Sequence, residues 1–186
     1  MAIKDPQKPY NTTAKTFHWG VGLLIIGMLC VGFFMEGMDF SPLKFKVVTW
    51  HKSIGILILT LTVLRLLWRW VSTPPALIRE TMKKWETVLA LSTHYLLYTC
   101  MILMPLSGWA MVSVDDNPDP TIYGFTLPPL LTTESKFWGG FFHSLHFYLA
   151  WALIGLITLH VLGALKHHFI HKDNTLRRML PFARLK

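Results

Sequence analysis

The stretch FFHSLHFYLAWALIGLITLHVLGAL, residues 141–165, decides how this chain folds. It contains no Asp, Glu, Lys or Arg. A helix of this length, at about 1.5 Å of rise per residue, crosses the roughly 30 Å hydrocarbon core of a bilayer. Its ionisable side chains are three histidines, His143, His146 and His160. Ionisable groups are costly inside a membrane and usually functional there, so the histidines are the informative residues of this chain.

Three further apolar stretches have similar length and character. They cover residues 17–35, 50–70 and 88–112 and are separated by polar connectors that contain proline. We therefore predict an all-α fold, a bundle of four transmembrane helices that forms a single domain over residues 1–186. The composition agrees, with 52% hydrophobic and 15% charged residues and a mean hydropathy of +0.41. It excludes disordered, collagen-like and disulfide-rich proteins, and Cys30 and Cys100 are expected to pack as buried thiols.

The distribution of positive charge predicts the orientation in the membrane. Four spans place both termini on one side, and fourteen of the eighteen Lys and Arg residues would lie on that side. Because cytoplasmic segments carry this excess, we expect a membrane protein with both termini in the cytoplasm and membrane lipid around it. The net charge of +8 then reflects topology, and no basic patch with interleaved aromatic residues indicates nucleic acid. The polar N-terminus does not resemble a cleaved signal peptide.

The histidines fall at two matched depths. His146 and His160 are fourteen positions apart, which in a helix is about 40° short of four turns and about 21 Å of rise. They therefore share one face of the last span, near its outer and inner ends. With the orientation above, His18 lies at the inner end of the first span and His51 at the outer end of the second. The sequence thus predicts an outer pair, His51 with His146, and an inner pair, His18 with His160.

Paired imidazoles between the helices of a bundle are typical axial ligands of low-spin b-type heme, so we predict two b hemes. A zinc site is less natural, because histidines about 21 Å apart cannot share one ion. Each intramembrane histidine taken alone is equally well explained as a hydrogen-bonded core residue. Small residues in the spans would let a flat macrocycle approach the backbone or simply let helices pack closely: Gly20, Gly22, Gly27, Gly55, Gly155 and Gly163.

Other polar residues leave alternatives open. Arg65, fourteen positions after His51, either pairs with a propionate of the inner heme or extends to the cytoplasmic surface. His94 is a competing inner ligand, a partner of a quinone carbonyl or, more simply, a satisfied core histidine. His143 competes with His146 for the outer iron. The tail histidines are expected to be solvated or at the lipid headgroups: His167, His168 and His171.

A series of short motifs occurs in a specific order along the chain: FHW at 17–19, HKSIGILIL at 51–59, RLLWR at 65–69, TPP at 73–75, HYLLY at 94–98, YGFTLP at 123–128, LHFYLAW at 145–151 and ALKHHFIHKDNTLRRM at 164–179. In these motifs the chain resembles the bacterial cytochrome b561 family, di-heme b cytochromes of the inner membrane, over essentially its whole length. The resemblance implies axial heme ligands at four positions, His18, His51, His146 and His160. It also implies electron transfer between the outer face and the quinone pool, with superoxide oxidised outside and ubiquinone reduced in one member.

The function predicted from these features is that of a di-heme membrane oxidoreductase whose donor is superoxide or another outer-face donor. A positive outer surface would steer the superoxide anion. The outer segments instead carry a net charge of −2, from Lys44, Lys46, Lys52 and Lys136 against Glu36, Asp39, Asp115, Asp116, Asp119 and Glu134. Two alternatives are a cytochrome subunit that relays electrons for a separate dehydrogenase or periplasmic carrier, and a heme-free membrane transporter or scaffold.

Overall fold

The computed structural model describes residues 8–72, 74–78, 82–115, 121–132 and 134–185. Its main elements are four long helices: α1 Thr12–Glu36, α2 Pro42–Val71, α3 Lys84–Ser113 and α4 Lys136–Lys166. All four are long and apolar enough to cross a membrane, which confirms the predicted all-α four-helix bundle. Three residues of the motifs and outer segments given above lie outside the described residues: Thr73, Asp116 and Asp119. So do three of the fourteen Lys and Arg residues: Lys4, Arg79 and Lys186.

The helices extend beyond the apolar stretches because polar capping residues start them early. The side chain of Asn11 accepts a hydrogen bond from the backbone N–H of Ala14 at 2.8 Å. The hydroxyl of Ser41 caps α2 in the same way, and that of Ser135 caps α4. These caps satisfy N–H groups that have no partner within the helix. Hydropathy predicts the length of chain inside the membrane, whereas the caps determine where each helix begins.

The connector between α3 and α4 contains a short hairpin, where the sequence predicts only a polar connector. Strand β1, Thr121–Ile122, pairs antiparallel with β2, Phe125–Thr126. The turn residues Tyr123 and Gly124 both have positive φ, 50° and 79°, as tight hairpin turns require. Ile122 is buried, so the hairpin packs onto the outer end of the bundle.

An apolar layer fills the middle of the bundle. Leu153 is 2% exposed and lies seven residues from both His146 and His160, so it sits midway between the two histidine levels. It belongs to one buried cluster with Val21, Ile25, Ile58, Cys100 and Met101. Cys100 is therefore buried as expected. The same expectation is wrong for Cys30, which is exposed, because an apolar residue of a membrane helix can face lipid as readily as the core.

The two ends of the chain meet at one end of the bundle. The backbone N–H of Tyr10 donates to the carbonyl of Arg178 at 3.2 Å. The indole N–H of Trp19 donates to the carbonyl of Met179 at 3.0 Å, and Arg178 Nε donates to the carbonyl of Lys8 at 3.1 Å. Both terminal segments therefore lie on the same side, as an even number of spans requires. We call this end, which also holds His18 and His160, the inner end.

The chain after α4 forms a π-helical turn, His167–His171, that ends at Lys172 in the left-handed conformation. This reversal brings the carboxylate of Asp173 within 2.6 Å of His167 Nδ1. The two side chains are 12% and 8% exposed. His167 is therefore not freely solvated, because the carboxylate of Asp173 holds its imidazole, while a position at the lipid headgroups stays a prediction.

Candidate heme-binding sites

The outer histidine pair is brought together by α2 and α4. The ring centroids of His51 and His146 lie 6.2 Å apart, with an angle of 67° between the ring planes. Two imidazoles that bind one metal ion from opposite sides, at about 2 Å for each metal–nitrogen bond, have ring centres about 6 Å apart. The observed separation therefore fits two imidazoles that would hold one metal ion between them.

Helix α3 packs directly against the outer pair. The hydroxyl of Ser107 lies 3.0 Å from His146 Nδ1 and donates to the carbonyl of Met104 at 2.8 Å. A Cβ atom added at Gly108 would lie 3.1 Å from Cε1 of the His146 ring, and one added at Gly32 would lie 3.5 Å from Cε1 of His51. The His146 ring thus rests against the backbone of α3, where a larger residue than glycine would crowd it.

A cavity of about 690 Å³ opens around the outer pair. This volume lies within the range of about 300–1,000 Å³ that is usual for cofactor and ligand sites. The walls are mostly apolar, and Met104, Pro105 and Phe147 are among them. His143, the alternative outer ligand, also lines the cavity, but the ring contact of His51 is with His146. Charged residues at the helix ends line its outer part: Glu36, Lys44, Lys52, Asp115 and Glu134.

The inner level contains three imidazoles. The centroids of His18 on α1 and His160 on α4 lie 6.0 Å apart at an interplanar angle of 58°. His94 on α3 lies nearer to His160, at 5.1 Å and perpendicular to it. The first separation fits a metal ion between the rings, whereas the second is about 1 Å too short for one. His94 Nδ1 is also 2.6 Å from the carbonyl of Ala90, so its own helix satisfies that nitrogen.

Arg65 lies at the inner level, as its spacing from His51 predicts. Its Nη2 is 3.1 Å from His18 Nδ1, and its guanidinium lies 5.2 Å from the ring centre of Tyr98. A guanidinium can only donate hydrogen bonds, so Nδ1 of His18 accepts here and the ring proton resides on Nε2. Arg65 therefore contacts a candidate ligand directly, a contact that the sequence did not predict, and its pairing with a propionate stays a prediction.

Sequence reasoning missed Ser107 and Gly108 as neighbours of His146, and it missed the contact between Tyr98 and Arg65. A signal for the first two existed, because small residues such as the Ser–Gly pair within MPLSGW, residues 104–109, are enriched where membrane helices approach closely. Nothing local indicates which neighbouring helix these residues face. Among the described residues, no three His, Cys, Asp or Glu side chains form a cluster that would hold a metal ion.

Three observations of the structure support a heme site at the outer level. The ring centroids of His51 and His146 lie at a spacing that would accommodate one metal ion, beside a largely apolar cavity. Nδ1 of His51 is buried and makes no hydrogen bond within the described part of the chain. Such an orphaned polar atom is uncommon in proteins and often marks a functional site or a partner outside the chain. The close approach of the His146 ring to Gly108 gives the ring a defined position.

Comparison with known proteins agrees with this geometry. A family model described as prokaryotic cytochrome b561 matches residues 9–182. The chain is 32% identical to cytochrome b561 homolog 2 of Escherichia coli K12, with 97% of this chain and 95% of that protein covered. It is 30% identical to a probable superoxide oxidase CybB of Yersinia pestis, over 94% of this chain and 97% of that protein. The chain is therefore a heme-binding, electron-transferring membrane protein that belongs to the prokaryotic cytochrome b561 family.

Proposed function

We propose that this protein binds two b hemes and moves electrons between the periplasmic face of the bacterial inner membrane and the quinone pool. The observation that carries the proposal is the presence of two histidine pairs, with ring separations of 6.2 and 6.0 Å, at opposite ends of one bundle. His51 and His146 would hold the outer heme, and His18 and His160 the inner heme. A heme held by two imidazoles supplies reversible one-electron redox chemistry at its iron.

The protein's own residues would control where the electron is held. The layer around Leu153 separates the two levels, and a helix rises about 21 Å over the fourteen residues between the α4 ligands. The apolar walls limit water, which lowers the local dielectric constant and lets nearby charges shift the redox potentials. Arg65 is the charged group in contact with the inner pair.

The orientation that we propose places the termini in the cytoplasm. The terminal segments and the second connector hold most of the Lys and Arg residues of the chain, and such segments stay on the cytoplasmic side. The outer heme would then face the periplasm. The hairpin and the charged outer part of the cavity would form the surface that a periplasmic donor meets.

We favour superoxide as the donor and ubiquinone as the acceptor. The balance is two superoxide anions giving two O₂ and two electrons, and one quinone taking two electrons and two protons. The relative named as a probable superoxide oxidase supports this donor. Lys44 and Lys52 line the cavity and would attract an anion, although Glu36, Asp115 and Glu134 line it as well. Relay of electrons for a separate dehydrogenase or periplasmic carrier is the second candidate, because the mixed charge of this surface also suits a protein partner.

Alanine substitution of each ligand tests the proposal. His51→Ala or His146→Ala should remove or perturb one heme, and His18→Ala or His160→Ala the other, as seen in visible difference spectra of the purified protein. Rapid mixing of the oxidised protein with superoxide, compared with a quinol or a protein donor, then identifies the donor. Loss of the same heme in His51→Ala and His18→Ala would refute the two-site arrangement. Fast reduction by a partner protein but not by superoxide would favour the relay.

A further inference from the structure

Ser107 makes two hydrogen-bond contacts in the interior of the bundle. Its side chain is on α3 and the residue is 3% exposed. The hydroxyl lies 2.8 Å from the carbonyl of Met104 and 3.0 Å from Nδ1 of His146. His146 belongs to a different helix, 39 residues along the chain. This contact is therefore a tertiary interaction with a candidate ligand, and the carbonyl contact is a local one.

The two contacts together determine where the ring proton of His146 resides. A hydroxyl has one proton, and a carbonyl oxygen can only accept, so Ser107 donates to Met104. The Nδ1–H of His146 then donates to the hydroxyl oxygen, with the Met104 carbonyl as a second acceptor beside it. This leaves the lone pair on Nε2, the nitrogen that is free to bind a metal ion.

The inner pair lacks this arrangement. At His18, Nδ1 faces a guanidinium that can only donate, so the ring carries its proton on Nε2. The outer and inner levels of the bundle therefore differ. At the outer level a hydroxyl oxygen accepts a hydrogen bond from the ligand on α4. At the inner level the neighbour of His18 is a guanidinium, which cannot accept a hydrogen bond from that ring in either tautomer.

We propose that Ser107 is a positioning residue that fixes the tautomer and orientation of His146 and lowers the reduction potential of the outer heme relative to the inner one. The inference rests on the proposed role of His146 as an axial ligand. A hydrogen bond accepted from Nδ1–H makes an imidazole a stronger electron donor, which stabilises the oxidised iron. Since an electron moves spontaneously toward the higher potential, the contact favours transfer from the outer to the inner level.

The experiment uses the full-length, heme-loaded protein and follows each heme separately. Ser107→Ala removes the hydroxyl acceptor and leaves the Met104 carbonyl in place. Ser107→Thr keeps the hydroxyl. Thr99→Val is the matched control, because Thr99 is on the same helix and its hydroxyl donates to the backbone carbonyl of Tyr95, within that helix, at 3.0 Å. A redox titration followed by visible absorbance gives the two midpoint potentials, and electron paramagnetic resonance of the oxidised protein reports the axial ligands.

We expect Ser107→Ala to raise the potential of one heme, the same heme that His146→Ala removes, and to shift its resonance signal. In Ser107→Thr the potential and the resonance signal should be close to those of the unmodified protein. Thr99→Val should change neither the potential nor the resonance signal. If Ser107→Ala instead loses the outer heme while Ser107→Thr retains it, the positioning role is also supported.

Three results would overturn the inference. They are unchanged potential and resonance signal in Ser107→Ala with both hemes retained, equal shifts of both hemes, and loss of the outer heme in Ser107→Ala and Ser107→Thr alike. If His146→Ala keeps both hemes with unaltered spectra, the proposed ligand set itself is wrong. The result for His146 thus separates failure of the proposed function from failure of the inference about Ser107.

Discussion

The imidazole of His94 lies 5.1 Å from that of His160, closer than the 6.0 Å between His18 and His160. Proximity alone would make His94 the inner ligand. An iron between two imidazoles needs ring centres about 6 Å apart, however, so the shorter distance describes edge-to-face packing of two rings. The spacing therefore favours His18 over His94 as the partner of His160 in the proposed inner pair.

The first prediction separates these two histidines. His18→Ala should lose the inner heme or convert it to a form with one histidine ligand, while His94→Ala should retain both hemes with a small spectral shift. The reason is that His94 packs against a candidate ligand, with its Nδ1 satisfied by its own helix at Ala90. Heme content and visible spectra of the purified variants measure the difference. Loss of a heme in His94→Ala, together with retention of both in His18→Ala, would reverse the assignment.

The second prediction concerns Arg65. For Nε2 of His18 to bind iron, the ring proton must move to Nδ1, which then cannot accept from Arg65. The guanidinium must find another partner in the heme-bound state, and a propionate of the inner heme is the natural one. Arg65→Leu should lower the potential of the inner heme, because the more positive oxidised iron loses a repelling charge. The expected size is on the order of 1 kcal/mol, or about 40 mV for one electron.

Arg69→Leu is the matched control for this prediction. Arg69 also lies over the ring of Tyr98, at 5.7 Å, whereas the hydrogen bond to His18 comes from Arg65. A redox titration of both variants should show the larger shift in Arg65→Leu, confined to one heme. No shift, or equal shifts of the two hemes, would mean that Arg65 does not act on the inner site.

The third prediction uses glycine as a steric probe. Gly108→Ala places a methyl group 3.1 Å from Cε1 of His146, so the ring must move and the outer heme should bind less tightly. Gly139→Ala, on α4, meets no atom within 4 Å. Both changes favour the helix by about 1 kcal/mol, so only the contact with the ring distinguishes them. Heme retained after detergent extraction gives the comparison, and equal retention in the two variants would contradict the described packing at His146.

The fourth prediction tests electrostatic steering by the four outer lysines, Lys44, Lys46, Lys52 and Lys136. Reversing their charges should slow heme reduction by superoxide without removing either heme. Added salt should slow the unmodified protein too, since screening limits the field to about 10 Å at 0.1 M. Lys84→Glu, at the other end of the bundle, is the control for each of the four reversals made singly, because it changes the net charge by the same amount. Slow, charge-independent reduction by superoxide beside fast reduction by a quinol or protein donor would exclude superoxide as the donor.

The features that could be predicted from the sequence each depend on the geometry of a single helix. The spacing of His146 and His160, and that of His51 and Arg65, follows from helical geometry alone. Hydropathy likewise predicts four spans, and an even number of spans places both termini on the same side. For these reasons the amino-acid sequence is sufficient to predict the two histidine levels and the position of Arg65 at the inner one.

The features that escaped prediction depend on how one helix is rotated against another. The contact of Ser107 with His146 joins α3 to α4, and that of Arg65 with His18 joins α2 to α1. No local pattern encodes those rotations, because the spans are apolar on every side and lack a marked polar face. The buried pairing of His167 with Asp173 similarly requires the left-handed reversal at Lys172, which the composition of the tail does not reveal.

The most direct test of the central claim is the heme stoichiometry of the purified full-length protein. A reduced-minus-oxidised visible spectrum, combined with protein concentration, gives the type and number of hemes for each chain. Two histidine pairs at opposite ends of the bundle predict two low-spin b hemes per chain, each lost separately by the ligand substitutions. A saturated preparation that holds a single heme per chain, or none, would contradict the two-site account.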